Sequence, residues 1–134
     1  MSAPGARFPR AARLTKPSHF AAVFAARQKL CGRFFCVHWR ENGLPHARLG
    51  LVVAKRVAKR AVRRNWLKRQ IREIFRVWPG RSVGVDLVVR VTHPPHDATR
   101  RVLRAELETL LVRLHDRLSA SRFRTRAMGD GVPR

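Results

Sequence analysis

Acidic residues are scarce in this chain: 8 Asp and Glu stand against 30 Lys and Arg, a formal charge of +22 over 134 residues. The scarcity weighs against a self-sufficient hydrolase, because metal-dependent nucleases gather carboxylates around their ions. No pair among Glu41, Glu73, Asp86, Asp97, Glu106, Glu108, Asp116 and Asp130 has that arrangement. Glu106 and Glu108 stand two apart on a predicted helix, do not face each other, and read as solvated helix charges. The six histidines form no HExxH and no Cys/His cluster, and Gly80 and Gly84 read as turn glycines, not as a phosphate-cradling loop. Cysteine is limited to Cys31 and Cys36, a Cys-x4-Cys spacing without a second pair. That argues against zinc and for two reduced thiols. No run reaches the length of a membrane span. The opening MSAPGARFPRAAR lacks the apolar stretch of a secretory signal. The expectation is a cytoplasmic protein with no catalytic side chain and no metal or cofactor of its own.

What the chain does have is concentrated in KRVAKRAVRRNWLKRQIREIFR, residues 55–76, which holds ten of the 30 basic residues and one acid, Glu73. Like charge at that density repels itself, and the repulsion turns favourable against a polyanion. A nucleic-acid backbone is the first candidate partner and an anionic membrane surface the second. Apolar residues make up 45% of the chain, enough for its middle to bury one core.

The coarse organisation is a single α+β domain at 13–118 between basic flexible tails at 1–12 and 119–134. Pro17 suits the first position of a helix over 17–26 that carries Phe20, Val23 and Phe24. Residues 33–39 and 47–54 read as strands joined by the Glu41-Asn42-Gly43 turn, which predicts a hairpin. Residues 86–91 read as an inner strand. The intervening length suits a strand–helix–strand crossover, so the 47–54 and 86–91 strands are expected to run parallel. Asp97 or Thr99 can cap a last helix carrying Leu103, Leu107, Leu110, Leu111, Leu114 and Leu118.

On a helical wheel, Leu67, Ile71, Ile74, Phe75 and Trp78 share one arc, while Asn65, Lys68, Arg69, Arg72 and Arg76 share another. The second arc is a candidate nucleic-acid surface. Arg64 lies nearer the apolar arc, and Trp66 sits on a flank, where it can stack on a base or cover a sheet edge. On the 33–39 strand Phe34, Cys36 and His38 alternate with Phe35, Val37 and Trp39. One set faces the core, and the other is a candidate aromatic platform for unpaired RNA.

RLTKPSHFAAVF at 13–24, RLGLVVAKRVAKRAVRRNWLKRQIREIFR at 48–76 and the later DLVVRV strand together resemble the protein subunit of bacterial ribonuclease P. The resemblance implies a two-layer α/β sandwich like ribosomal protein S5 domain 2. Its four-stranded sheet has a left-handed β-α-β crossover, and the fourth strand would be short, near 54–57. It implies an RNA-binding subunit that assists a catalytic RNA in cutting the 5′ leader from precursor tRNA, with Mg2+ required by the RNA-based active site. The family's Arg-Asn-Arg signature falls on Arg64, Asn65 and Trp66, where Trp66 departs from the pattern and offers no guanidinium. Arg60, Arg64, Asn65, Trp66, Lys68, Arg69, Arg72 and Arg76 are thereby implied to bind the catalytic RNA. Phe20, Phe24, Phe34, Cys36, His38, Lys55 and Arg56 are implied to line the leader cleft, His38 standing where the family often has Tyr. Neither a membrane nor an obligate protein partner is implied. The rival reading is a structural ribosomal-type RNA-binding protein with no part in cleavage.

Overall fold

The computed structural model describes residues 10–95 and 98–131, with side chains through residue 121. In chain order the elements are α1 (Pro17–Ala25), β1 (Lys29–Cys31), β2 (Phe35–Glu41), β3 (Arg48–Val52), α2 (Ala61–Arg76), β4 (Val85–Val91) and α3 (Arg100–Gly131). The four strands form one sheet in the order β1-β2-β4-β3. β1/β2 and β2/β4 are antiparallel, and β3/β4 is parallel, as the crossover length predicts.

The core forms where the periodicities place it. The inward residues Phe35, Val37, Trp39, Leu49, Leu87, Val89 and Val91 meet Leu67, Ile71, Ile74 and Phe75 of α2 and the leucine stripe of α3. All six leucines of that stripe are buried. Truncating a core residue such as Leu67, at 1% exposure, should cost about 2–5 kcal/mol. Two polar ties hold the helices over this face. Trp78 Nε1 donates to the Leu111 carbonyl, and Arg104 bridges Gln70 and Glu73. α1 lies across the opposite face, where Val23 packs with Leu14, Val88, Phe20 and Val52.

Several expectations are corrected. β2 and β3 are not a hairpin: β4 lies between them and pairs with both. Asp86 explains the insertion. It sits opposite Arg40 on one side and Arg48 on the other, and accepts hydrogen bonds from Arg48 and from Asn42 of the β2–β3 turn. The fourth strand is β1, not 54–57, which forms a turn closed by the Val57 and Ala58 amides on the Ala54 carbonyl. The true hairpin is β1–β2. Within it Cys31 and Cys36 are register partners and are joined in a disulfide, not separate thiols.

Glu106 is not a solvated helix charge. Its carboxylate accepts the backbone N–H groups of Arg33, Phe34 and Phe35 at 2.8–2.9 Å, pinning the β1–β2 turn to α3. Gly32 permits that approach, since a Cβ there would lie 2.6 Å from the Glu106 carboxyl carbon. The expected tail from 119 is also corrected, because the α3 backbone stays helical to Gly131. Its leucine periodicity ends at Leu118, but Ala, Arg and Met favour helix and no proline intervenes before Pro133. At the other end, Arg10–Ala12 form a 3-10 turn. The remaining tail residues, 1–9 and 132–134, and Asp97 lie outside the described residues; Thr99 Oγ1 does cap α3 by accepting from the Val102 amide.

Candidate nucleic-acid interface

α1 crosses the sheet, so its two phenylalanines meet different strands. Phe24 is 38% exposed, and its ring stands edge-on to His38 of β2 at 4.8 Å between centroids. Phe20 lies over β3, where its ring occupies the space a Gly50 side chain would need, 2.7 Å from an ideal Cβ. Phe20, Leu14 and Gly50 then line a concavity of about 160 Å³ whose other wall is Lys68 and Arg72 of α2, with Arg13 at its rim. Phe20 and two cations of the basic helix face, separate in the sequence reading, share this groove.

Arg13 arrives by a backbone route. It forms a bridge with Leu49 beyond the edge of β3, and the Leu14 amide donates to the Leu49 carbonyl. Burial, and then the charge of Arg13, lower the pKa of Arg72. Sequence reasoning missed Arg13 because it lies outside any periodic segment, although the family-like stretch begins there.

On the outward face of α2, Asn65 and Arg69 are exposed, and Arg60 is exposed at the N-cap. Arg76 is half-buried, and its carbonyl accepts from the Arg81 side chain. Arg64 turns back: its Nη1 donates to the carbonyls of Ala58 and Lys59 at 2.9 and 2.8 Å, which ties down the turn before the helix. Trp66 is half-buried against the core, with the Arg63 guanidinium 4.4 Å above its ring. Lys55 and Arg56 are exposed in the turn that follows β3.

The remaining expected cleft residues divide. His38 and Cys36 lie on the α1 side of the sheet, both largely buried, and Cys36 is taken up by the disulfide. Burial, and then the charges of Arg90 and Lys29, lower the pKa of His38, so its neutral form is favoured. Phe34 is not part of the cleft. It precedes β2, escapes the alternation, and packs in the main core with Arg33 over its ring.

The carboxylates with structural partners are dispersed. Glu73 pairs with Arg104, Asp86 with Arg48, and Glu106 with backbone amides. Among the described residues no group of three or more His, Cys, Asp or Glu could hold a metal ion, and no helix is long and apolar enough to cross a membrane.

Comparison with known proteins identifies the family. The Ribonuclease P family profile matches residues 8–115. The ribonuclease P protein component of Chromobacterium violaceum is 50% identical over 116 residues, covering 87% of this chain and 93% of that protein. The corresponding protein of Aromatoleum aromaticum is 46% identical over 110 residues, covering 82% and 92%. Among solved structures, the Staphylococcus aureus RNase P protein superposes with a TM-score of 0.70 at 32% identity, covering 76% of this chain and 94% of that one. The Thermotoga maritima RNase P protein gives 0.66 at 35% identity, covering 75% and 96%. An α+β core built on a mixed four-stranded sheet, a basic crossover helix and a match along most of its length place this chain in the ribonuclease P protein family, as the protein subunit of the ribonucleoprotein endoribonuclease that processes tRNA 5′ ends.

Proposed function

We propose that the outward strip of α2, Asn65, Lys68, Arg69 and Arg72 at its centre, binds the catalytic RNA, and that the α1 face receives the unpaired 5′ leader of precursor tRNA. The observation that carries this is the groove where Phe20 meets Lys68 and Arg72. An aromatic ring beside two cations suits a single strand, offering a stacking face for a base and charge for its phosphates. Arg13 adds a third cation at the rim. Phe24 and His38 extend the same face across β2, and Lys55 and Arg56 stand beyond the end of β3.

In this reading the protein orients RNA and the RNA performs the hydrolysis. The dispersed carboxylates support it, because Glu73, Asp86 and Glu106 are committed to Arg104, Arg48 and backbone amides. The magnesium that activates water and stabilises the leaving oxygen would belong to the RNA. Hydrolysis would leave the 5′ phosphate on the mature tRNA and release the leader, in the cytoplasm.

The test is cleavage of precursor tRNA in limiting magnesium by the protein, by the RNA and by both, with wild type and a Lys68→Gln/Arg69→Gln/Arg72→Gln variant. The protein alone should be inert, and the mixture should far exceed the RNA. The variant should assemble more weakly, its salt dependence reduced by up to about 0.9 for each phosphate that it no longer neutralises. Cleavage by protein alone, or unchanged assembly and salt slope in a folded variant, would refute the proposal.

A further inference from the structure

Arg63 lies outside the basic strip read from the helical wheel, yet its charge is firmly placed on α2. Its guanidinium lies 4.4 Å from the centre of the Trp66 ring, and Nη2 donates to the Pro95 carbonyl at 3.3 Å. The stack occupies one face of the guanidinium plane and the carbonyl takes one N–H. A guanidinium has five N–H groups in its plane, so in-plane donors remain for a second partner. Trp66 in turn rests against the main core, which fixes the platform.

The location matters as much as the rigidity. Trp66 and Arg69 are three apart and therefore neighbours on the helix surface, and Val62, beside Arg63 in sequence, is 78% exposed. An RNA strand lying along Asn65 and Arg69 would meet this flank next. The groove of Phe20, Lys68 and Arg72 bounds the strip on its other side. A mobile surface cation loses side-chain freedom when it binds, whereas a stacked and tethered guanidinium has already lost it. Flat guanidinium edges also match phosphate oxygens in a bidentate geometry that lysine cannot reproduce.

We infer that Arg63 is a phosphate-binding residue for the catalytic RNA, with Trp66 as the positioning residue that holds its guanidinium edge outward. The inference rests on the reading of α2 as the catalytic-RNA surface. It assigns Trp66 its role without an ion pair, and it extends the RNA-binding surface around the helix toward the loop after β4.

A double-mutant cycle tests it, with cognate ribonuclease P RNA as the probe and folding checked by circular dichroism. Arg63→Gln should weaken assembly several-fold and make the slope of log affinity against log salt shallower by about 0.7–0.9. Trp66→Leu keeps apolar packing but removes the ring face, and should also weaken assembly. Arg63→Gln added to Trp66→Leu should then cost little more, because the second change removes a group already displaced. Trp39 and Trp78 are 5% and 4% exposed, so Trp66 is the tryptophan best placed to report RNA binding. RNA should change the emission of wild type and not that of Trp66→Phe. An unchanged salt slope in folded Arg63→Gln, or fully additive losses, would overturn the inference. Arg69→Gln is the control. If it weakens assembly while Arg63→Gln does not, only the Arg63 assignment fails; if neither does, the reading of α2 fails with it.

Discussion

Arg48 grips Asp86 with two parallel hydrogen bonds, Nε to Oδ1 at 2.9 Å and Nη2 to Oδ2 at 2.8 Å. Asp86 is completely buried, and Asn42 donates to Oδ1 at 2.7 Å. One carboxylate thus joins β3, β4 and the β2–β3 turn at the end of the sheet. Asp86→Asn would leave Arg48 facing a neutral amide, and breaking a buried pair typically costs about 3–5 kcal/mol. Urea unfolding should show that loss.

The same carboxylate sets an acid limit. Burial pushes its pKa up, but the hydrogen bonds from Arg48 and Asn42 and the charges of Arg48 and Arg40 outweigh that and hold it below 3.8. A carboxyl depressed in the native state contributes stability that is complete above its unfolded pKa and lost as pH falls through its native one. Wild-type urea midpoints should therefore drop as pH falls below 3.8, and Asp86→Asn should show a flatter acid limb. Parallel curves for the two proteins would refute the assignment.

His38 titrates in a different window. Burial, then Arg90 and Lys29, lower its pKa from 6.5, and its Nε2 is buried without a hydrogen-bond partner among the described residues. The unfolded chain takes up the proton first as pH falls below 6.5, so the native state should lose stability from there down to the native pKa. His38→Phe keeps an aromatic edge for Phe24 and should remove this component. An imidazole NMR titration midpoint at or above 6.5 would contradict the buried neutral form.

Glu106 should prove costlier to remove than its position on a helix surface suggests. Three backbone amides depend on it, and hydrogen bonds to charged groups contribute about 1.5–3 kcal/mol. Glu106→Gln should destabilise by roughly that amount and speed hydrogen exchange at the Arg33, Phe34 and Phe35 amides. Unaltered exchange at those three positions would mean that the turn holds itself.

These cases mark where the sequence was legible. Long periodic segments were: α2 and α3 bury the residues their wheels select, because a fixed repeat projects directly onto one face. The parallel pairing of β3 and β4 followed from the length between them. What failed depended on partners distant in sequence. β1 has three residues, too few for a period, and β4 enters between β2 and β3, where Asp86 finds partners on both sides. Glu106 reaches amides 71–73 residues away, and no local pattern encodes that. The basic strip was readable from α2 alone, whereas Arg13 and Gly50 join the site only when β3 is placed beside α1 and α2. Phe34 misled because alternation was extended one residue past the start of β2.

Gly50 and Phe20 yield the sharpest test of the leader site. A Cβ on Gly50 would lie 2.7 Å from two ring atoms of Phe20 and 3.2 Å from Leu14. Gly50→Ala must therefore lift the ring away from β3, at a cost of about 1–3 kcal/mol in stability as an overpacking change. If Phe20 stacks on a leader base, displacing it should weaken binding of precursor tRNA with a leader of several nucleotides. A one-nucleotide leader should be nearly unaffected. Phe20→Ala should show the same selectivity, losing roughly 1–3 kcal/mol for one stacked base. Holoenzyme affinities for both substrates, with each variant, separate the two roles of this residue. A loss confined to the long leader makes Phe20 a binding residue for substrate. Equal losses for both lengths, tracking the fall in protein stability, would reduce Phe20 to a packing residue of the Leu14, Val23 and Val88 cluster.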